Sequence, residues 1–287
     1  MRSNLPALVL NELKSNDDSY LLLGDIGVFG FSEVIKQFPE RALNLGIAEQ
    51  ASVGFAAGLA REGNYPIFHT IAPFMVDRAF EQLKVDFGYS KQSGLFVSVG
   101  ASFDYGKLGG THHCPEDVCL LSTIEGINIY LPGSVAEMEE AFCKAVDSRE
   151  FAYLRLESNI HTGGKNYSNG QIFSFGSNGT IIAVSYLLDS ALIVGRKMGM
   201  NVHYLNQISD KTTLSDIQFN SDVYIVEPLM TGSTRTALER SGIFFGGKVQ
   251  SFGFAREFRR DYVDQRVHLV SAGLDAAGLL NKISFLL

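Results

Sequence analysis

Short apolar runs alternate with amphipathic stretches along nearly the whole chain, the pattern produced when mainly parallel strands are covered by helices. Residues 20–23 make a compact apolar run ending at Gly24-Asp25, and residues 47–61 carry a helical pattern halted by Gly63. A strand at 66–70 precedes a helix over 74–89, in which Phe74, Ala79, Phe80, Leu83 and Phe87 are spaced for one face. Residues 95–99 read as a strand running into a glycine-rich stretch, 100–110, and 127–131 read as another. Ser134 opens a helix with Glu137 three residues later, the reciprocal capping arrangement. Residues 151–156 close the first unit. From 161 to 179 the composition shifts to Gly, Asn and Ser, which marks a linker. Beyond it, a strand at 180–185, a helix to about residue 198 and strands at 201–205 and 223–226 predict a second, smaller α/β unit. The chain therefore divides into residues 1–165 and 166–287, two three-layer αβα domains with no internal repeat.

Composition narrows the function. With 287 residues, 46% hydrophobic and 19% charged, the chain supports two substantial cores. A formal charge of -7 and a pI near 5.4 provide no basic stripe to grip phosphate backbones, so no nucleic-acid partner is expected. The longest apolar runs, such as 180–184 and 191–194, are too short to span a bilayer, and the N-terminus lacks a signal-peptide profile. No membrane association and a cytoplasmic location are the expectation. Cys114, Cys119 and Cys143, an odd number without pattern, suit free thiols in a reducing compartment. His113 beside Cys114 and Cys119 raises a metal site, but adjacent ligands converge poorly on one tetrahedral centre and no fourth ligand stands at standard spacing. No metal ligand set is assigned.

The segment 44–63 concentrates the chemistry. Glu49 and Gln50 open a helix whose other positions are nearly all small, including Ala51, Ser52, Gly54, Ala57 and Gly58. Each glycine costs about 1 kcal/mol against alanine in a helix, so Gly54 and Gly58 suggest a close approach by another backbone. A carboxyl at the head of such a helix is poised for burial, which favours its neutral, hydrogen-bond-donating form, while the positive helix end opposes that. Spacing alone leaves two readings open, an ordinary helix-start acid or a functional one.

Phe38-Pro39-Glu40-Arg41, Gly46-Ile47-Ala48-Glu49-Gln50, Gly54-Phe55-Ala56-Ala57-Gly58-Leu59-Ala60, then Pro66, Thr70, Arg78-Ala79-Phe80-Glu81-Gln82 and Gly109-Gly110-Thr111-His112 carry a resemblance. In this order they resemble the pyrimidine-binding domain of transketolases and 1-deoxyxylulose-5-phosphate synthases. The resemblance implies the thiamine diphosphate-binding fold for the first domain. It also implies that Glu49 hydrogen-bonds the aminopyrimidine N1′ of thiamine diphosphate and shifts its tautomers. Phe74 matches the aromatic residue against the pyrimidine. Asp25 matches an acid near the thiazolium and a subunit interface, and Ile47 and Arg78 fall among the cofactor contacts. His112 matches the histidine that contacts substrate hydroxyls and moves protons. His113 and Arg155 are carried over as substrate-binding residues, Arg155 as an arginine near the family's phosphate pocket, although it could simply pair with Glu157 or with a partner carboxylate.

The departures from the family pattern point to substrate. Leu108 stands where sugar-phosphate transketolases have an acid, and Gly100 where they keep a cationic phosphate ligand. Loss of that cation removes a charge-assisted hydrogen bond of roughly 1.5 to 3 kcal/mol. The expected substrate is therefore a sugar or keto compound outside the standard pentose phosphate pair. Residues 180–184, 223–227 and 273–280 resemble the family's C-terminal domain, a dimerisation domain, and His203 and His268 read as ordinary strand or loop residues. Nothing in the chain matches the Gly-Asp-Gly motif that holds Mg2+ and the diphosphate. The resemblance thus implies an N-terminal partner subunit that carries them, an assembly of two chains of each kind, and transfer of a two-carbon ketol unit from ketose to aldehyde. A 2-oxo acid decarboxylating carboligase, a dehydrogenase β subunit and a non-catalytic regulatory subunit stand as alternatives.

Overall fold

The structure, a computed structural model, describes residues 1–162, 166–209, 222–243 and 245–286. In the first part of the chain, strands β1 (Ser19–Leu23), β2 (Ala42–Asn44), β3 (Tyr65–Ile71), β4 (Gly94–Val99), β5 (Asn128–Tyr130) and β6 (Phe151–Arg155) alternate with helices α1 (Leu5–Ser15), α2 (Ser32–Gln37), α3 (Glu49–Arg61), α4 (Ala72–Gln82), α5 (Asp117–Leu121) and α6 (Val135–Asp147). The second part contributes β7 (Ile172–Phe173), β8 (Thr180–Val184), α7 (Leu188–Met198), β9 (Asn201–Leu205), β10 (Gln207–Ile208), β11 (Val223–Met230), α8 (Ser233–Arg240), β12 (Val249–Phe254), α9 (Gln265–Ser271) and α10 (Ala276–Leu286).

Two mostly parallel sheets result. The first runs β10-β5-β6-β4-β3-β1-β2 and the second β12-β11-β8-β9-β7, with β10 and β7 the antiparallel members. The β3 strand is buried at every position, as a central parallel strand must be, so it reads as a continuous apolar run interrupted by His69 and Thr70. Side chains alternate across it. Phe68 packs with Val53, Ala56 and Met75 of α3 and α4, whereas Ile67 and Ile71 join Val9, Phe142 and the α1, α2 and α6 layer. Register places Leu23 opposite both Asn44 and His69, and Ser98 opposite Arg155, which gathers the loops after β1, β2, β3, β4 and β6 on one edge. Open α/β sheets present ligand-binding groups at this carboxyl edge.

Several elements differ from the sequence-based expectation. The helix expected at 47–61 begins at Glu49, because Ala48 has non-helical dihedrals and only its carbonyl enters the helix, accepting from Ser52 N–H. The helix expected over 74–89 loses helical geometry at Ala79 and widens over Leu83–Tyr89, where bonds such as Ser90 N–H to Val85 O span five residues. Gly88 fits this wide turn because a Cβ there would lie 2.5 Å from Ile124. Gly54 and Gly58 meet no close backbone within the chain: a Cβ on either would have nothing within 4 Å. His268, expected in a strand or loop, lies buried in α9 with its ring stacked 4.5 Å from Phe103.

The boundary expected near residue 165 falls outside the described residues. On either side of it the two units are tied together. Strand β10 completes the first sheet from the second part of the chain. Ser134 caps α6 as its spacing predicts, accepting from Glu137 N–H at 3.2 Å. The Glu137 carboxylate also accepts from Gly133 N–H (2.8 Å), the Tyr204 hydroxyl (2.7 Å) and Tyr167 N–H, with His161 Nε2 at 3.0 Å. Burial pushes Glu137 up, but the bonds from His161, Tyr204 and Gly133 more than reverse that and leave it below the usual carboxylate range.

In the second unit Glu227 is fully buried within β11 and reaches the turn into α8, accepting from Gly232 N–H at 2.5 Å and Thr234 N–H at 2.7 Å. Burial nevertheless pushes it up to about 7 from an ordinary 4.5, the hydrogen bonds opposing. A raised carboxyl favours the protonated folded state, so this group erodes stability as pH rises from its unfolded value through about 7. Glu227→Gln removes that titration. Relative to wild type the variant should gain on the order of 2 kcal/mol more at pH ~8 than at pH ~5 in urea unfolding; an offset independent of pH would show that the carboxyl titrates normally.

Candidate active site

Glu49 is the first residue of α3, and its side chain is 1% exposed. Its Oε2 accepts from Arg78 Nη1 of α4 at 2.7 Å, while its Oε1 is buried with no hydrogen-bond partner among the described residues. Buried polar atoms rarely stay unpaired, so this oxygen is the conspicuous feature of the region. Arg78 lies 4.3 Å over the ring of Phe74, one turn earlier on the same helix. Phe74 meets His112 edge to face at 5.2 Å, and His112 approaches Tyr105 at 6.4 Å. The Thr111 hydroxyl lies 2.9 Å from His112 Nδ1. Burial first, then the neighbouring His113 and Arg78 charges, hold His112 below its usual range, so the ring is neutral near pH 7 and offers both a donor and an acceptor. Glu49, Arg78, Phe74 and His112, far apart in sequence, therefore form one continuous line of contacts.

Asp25 stands at the same edge, just past β1, with a left-handed backbone (φ +58). Asn44 fixes it, accepting from Asp25 N–H at 3.0 Å and donating to Asp25 Oδ1 at 2.9 Å. Ile47, just ahead of Glu49, is 71% exposed.

Two expected substrate contacts fall elsewhere. Arg155 does not reach the edge. It is 1% exposed, donates to Asp117 Oδ2 at 2.7 Å and to Ser102 Oγ at 2.6 Å, and pairs with Glu157. The pairing with Glu157 that its sequence context allowed is the one realised. Burial pushes Glu157 up to about 8 despite the adjoining guanidinium. His113 turns away from His112 into the seam between the two units, against Phe103 and His268 at 4.8 and 5.8 Å. Gly100, where a cation was expected to be missing, has its own reason: a Cβ there would stand 2.4 Å from the Tyr105 ring. Tyr105 and His69 were not singled out from sequence. The signal for His69 was available, a histidine inside an otherwise apolar strand.

The residues fit an aminopyrimidine such as that of thiamine diphosphate: an acid with one uncommitted buried oxygen, an aromatic ring nearby, and on α3 an outward face at Gly54 and Gly58 with nothing against it. Two mostly parallel αβα layers with polar groups gathered at the strand carboxyl ends define the class, a doubly wound α/β protein with a ligand site at that edge. Within that class the family is shown by sequence: the family described as transketolase, pyrimidine binding domain matches residues 12–160, and the chain belongs to it. It is 29% identical over 281 residues to an uncharacterized 33.6 kDa protein in the fasciation locus of Rhodococcoides fascians, covering 95% of this chain and 90% of that protein. It is 32% identical over 197 residues to one of the subunits of the apulose-4-phosphate transketolase of Actinobacillus succinogenes, covering 65% of this chain and 63% of that relative. Its fold matches a solved split gene transketolase described as an inactive beta4 tetramer, with TM-score 0.82, 21% identity and coverage of 99% and 96% of the two chains.

Removing Arg155 tests the buried lock. Arg155→Met leaves Asp117 and Glu157 without their cation and should cost about 3–5 kcal/mol in urea unfolding. Asp117→Asn added to it should recover part of that loss; a single variant as stable as wild type would show that the carboxyls do not depend on the guanidinium.

Proposed function

We propose that the chain is the pyrimidine-binding, C-terminal subunit of a two-component transketolase, and that with an N-terminal partner it transfers a two-carbon ketol unit from a ketose to an aldehyde. The observation that carries this reading is the uncommitted Oε1 of buried Glu49, aligned with Phe74 and His112. When bound, thiamine diphosphate supplies the nucleophilic carbon that cleaves and forms the carbon–carbon bond. On this chain Glu49 holds a proton against the aminopyrimidine N1′, Phe74 offers an apolar face, and Arg78 fixes the carboxyl rotamer through Oε2. Neutral His112 orients substrate hydroxyls and takes or returns their protons.

The partner requirement is supported by the surface and by the relatives. Phe29, Ile47 and Phe55 are 93%, 71% and 45% exposed around the site, an apolar display that suits a covering protein surface. The Actinobacillus succinogenes relative is named as one subunit of its transketolase. In the proposed assembly the partner holds Mg2+ and the diphosphate, and two chains of each kind associate in the cytoplasm. That relative is named for a phosphorylated sugar. In this chain the candidate phosphate ligand Arg155 is consumed internally, which supports a substrate outside the standard pentose phosphate pair.

Two measurements test the reading. Titrated alone with thiamine diphosphate and Mg2+, the chain should give little heat, and mixing with the partner should restore tight binding. In the complex, Glu49→Gln keeps the bond from Arg78 but should lower ketol-transfer kcat by about 100-fold or more. Full activity of that variant would support a non-catalytic role for this chain, and carbon dioxide release from pyruvate would support the decarboxylating alternative.

A further inference from the structure

Beside the Glu49 line, Tyr105 leads into a cavity of about 1130 Å³ at the carboxyl ends of β1, β3, β4 and β6. Its wall includes Asp25, Gly27, Phe31, His69, Tyr105 and Glu157. His69 is 1% exposed, and its tautomer is fixed by the fold: the Val97 carbonyl can only accept, so Nδ1, 2.9 Å away, carries the proton and donates. Burial pushes the ring down to about 4, so it is neutral at physiological pH and Nε2 is a bare acceptor. That nitrogen is buried and has no hydrogen-bond partner among the described residues. It lies under the Gly27 turn, where a Cβ would stand 3.4 Å away and where glycine (φ +73) leaves the space clear.

The charges around the cavity do not favour an anion. Asp25 and Asp104 line it as carboxylates, and Glu157, raised to about 8, is largely neutral near pH 7; against them stand exposed Arg2, which donates to the Tyr105 hydroxyl at 3.1 Å, and the chain's amino terminus. Arg155, one residue before the wall, is held by Asp117 and Glu157. Asp104 is half engaged, its Oδ2 accepting from Ser158 N–H at 2.8 Å while its Oδ1 is buried with no partner among the described residues. An uncharged chain of hydroxyls matches such a wall, since an O–H can donate to uncommitted His69 Nε2, or to Asp104 Oδ1, without bringing a charge into apolar surroundings.

We propose that this cavity receives the uncharged, polyhydroxylated end of the substrate and that His69 Nε2 is a specificity-determining acceptor for its terminal hydroxyl. The identification of the ligand as substrate rests on the ketol-transfer reading; the binding chemistry does not. The test therefore has two arms. In the first, xylitol is titrated into the purified full chain and followed by calorimetry and by the His69 Nε2 resonance in long-range 1H–15N spectra. Xylitol should bind and move that resonance while inorganic phosphate does not. His69→Phe should weaken xylitol binding at least tenfold, and His69→Gln, which keeps an acceptor, should recover most of it. An Nε2 resonance that xylitol leaves unmoved in wild type, as it would be if water alone satisfied the nitrogen, or tighter binding of phosphate than of xylitol, overturns the proposal even where a variant fails to fold. In the second arm the complex with its partner is assayed with D-xylulose and D-xylulose 5-phosphate as donors. His69→Phe should lower kcat/KM for the free sugar at least tenfold and leave that for the phosphate ester within about threefold. An equal loss for both donors overturns the specificity role. Inactivity of wild type toward every ketose, with xylitol still bound through His69, would sink the ketol-transfer reading and leave the binding site standing.

Discussion

A single unshared oxygen organises the candidate site. Glu49 could have been an ordinary first-turn acid, exposed and stabilised by the helix end. Instead the loop after β2 delivers it beneath the edge of the sheet, where α4 supplies Arg78 to one oxygen and nothing to the other. Leaving a buried carboxyl oxygen unpaired costs on the order of 1–3 kcal/mol, and a fold that carries that cost at the head of a helix is poised for a hydrogen-bond partner from outside. The remaining features follow from keeping that carboxyl fixed. Arg78 is itself fixed by lying over Phe74, and Phe74 by the edge of His112, so the rotamer of one acid is transmitted to the group proposed to handle substrate protons.

Beneath this edge the two units are joined by ionic chemistry of a different kind. Arg155 and Asp117 form a buried ion pair whose geometry is completed by Ser102 and by the Pro228 carbonyl of β11. Ser102 also donates to that carbonyl, and Met230 N–H bonds Pro115 O at 2.7 Å. A buried pair contributes little net stability compared with well-packed apolar groups but makes the loss of either partner severe. Here it fixes the loop carrying Thr111 and His112 to the second unit, and Glu137 fastens the opposite side through Tyr204. The second unit thus holds the catalytic-edge loops in place without lending a side chain to the Glu49 line.

Much of this was legible from residues. The alternation of buried runs and helical stretches predicted the parallel αβα layers, because a strand covered on both faces has few alternatives to a continuous apolar run. The small-residue helix after Glu49 drew attention to the right segment, although it begins two residues later than its pattern suggests. What could not be read was pairing. Arg155 and His112 are equally polar and each closes a strand or loop, yet one is buried and saturated by Asp117, 38 positions earlier, and the other meets Phe74 at the edge. Side-chain partners at such separations depend on sheet order, which local periodicity does not encode. The widening of the helix beyond Gln82 was hidden for a similar reason, since it accommodates Ile124 against Gly88 from a distant loop.

His69 shows where sequence and structure together carry more than either. A histidine in a buried parallel strand is commonly satisfied by its neighbours, and half of this one is, through Val97. Fixing Nδ1 as the donor forces the other nitrogen to be an acceptor, and the strand's alternation turns it to the face away from α3 and Glu49. The line from Glu49 through Phe74 and His112 ends at Tyr105, and Tyr105 occupies the space over Gly100 that a longer side chain would need. Glycine at residue 100 therefore admits the aromatic wall of the cavity containing His69. Glycine at residue 100 and the neutral acceptor at residue 69 thus belong to one uncharged stretch of the edge, walled by the Tyr105 ring.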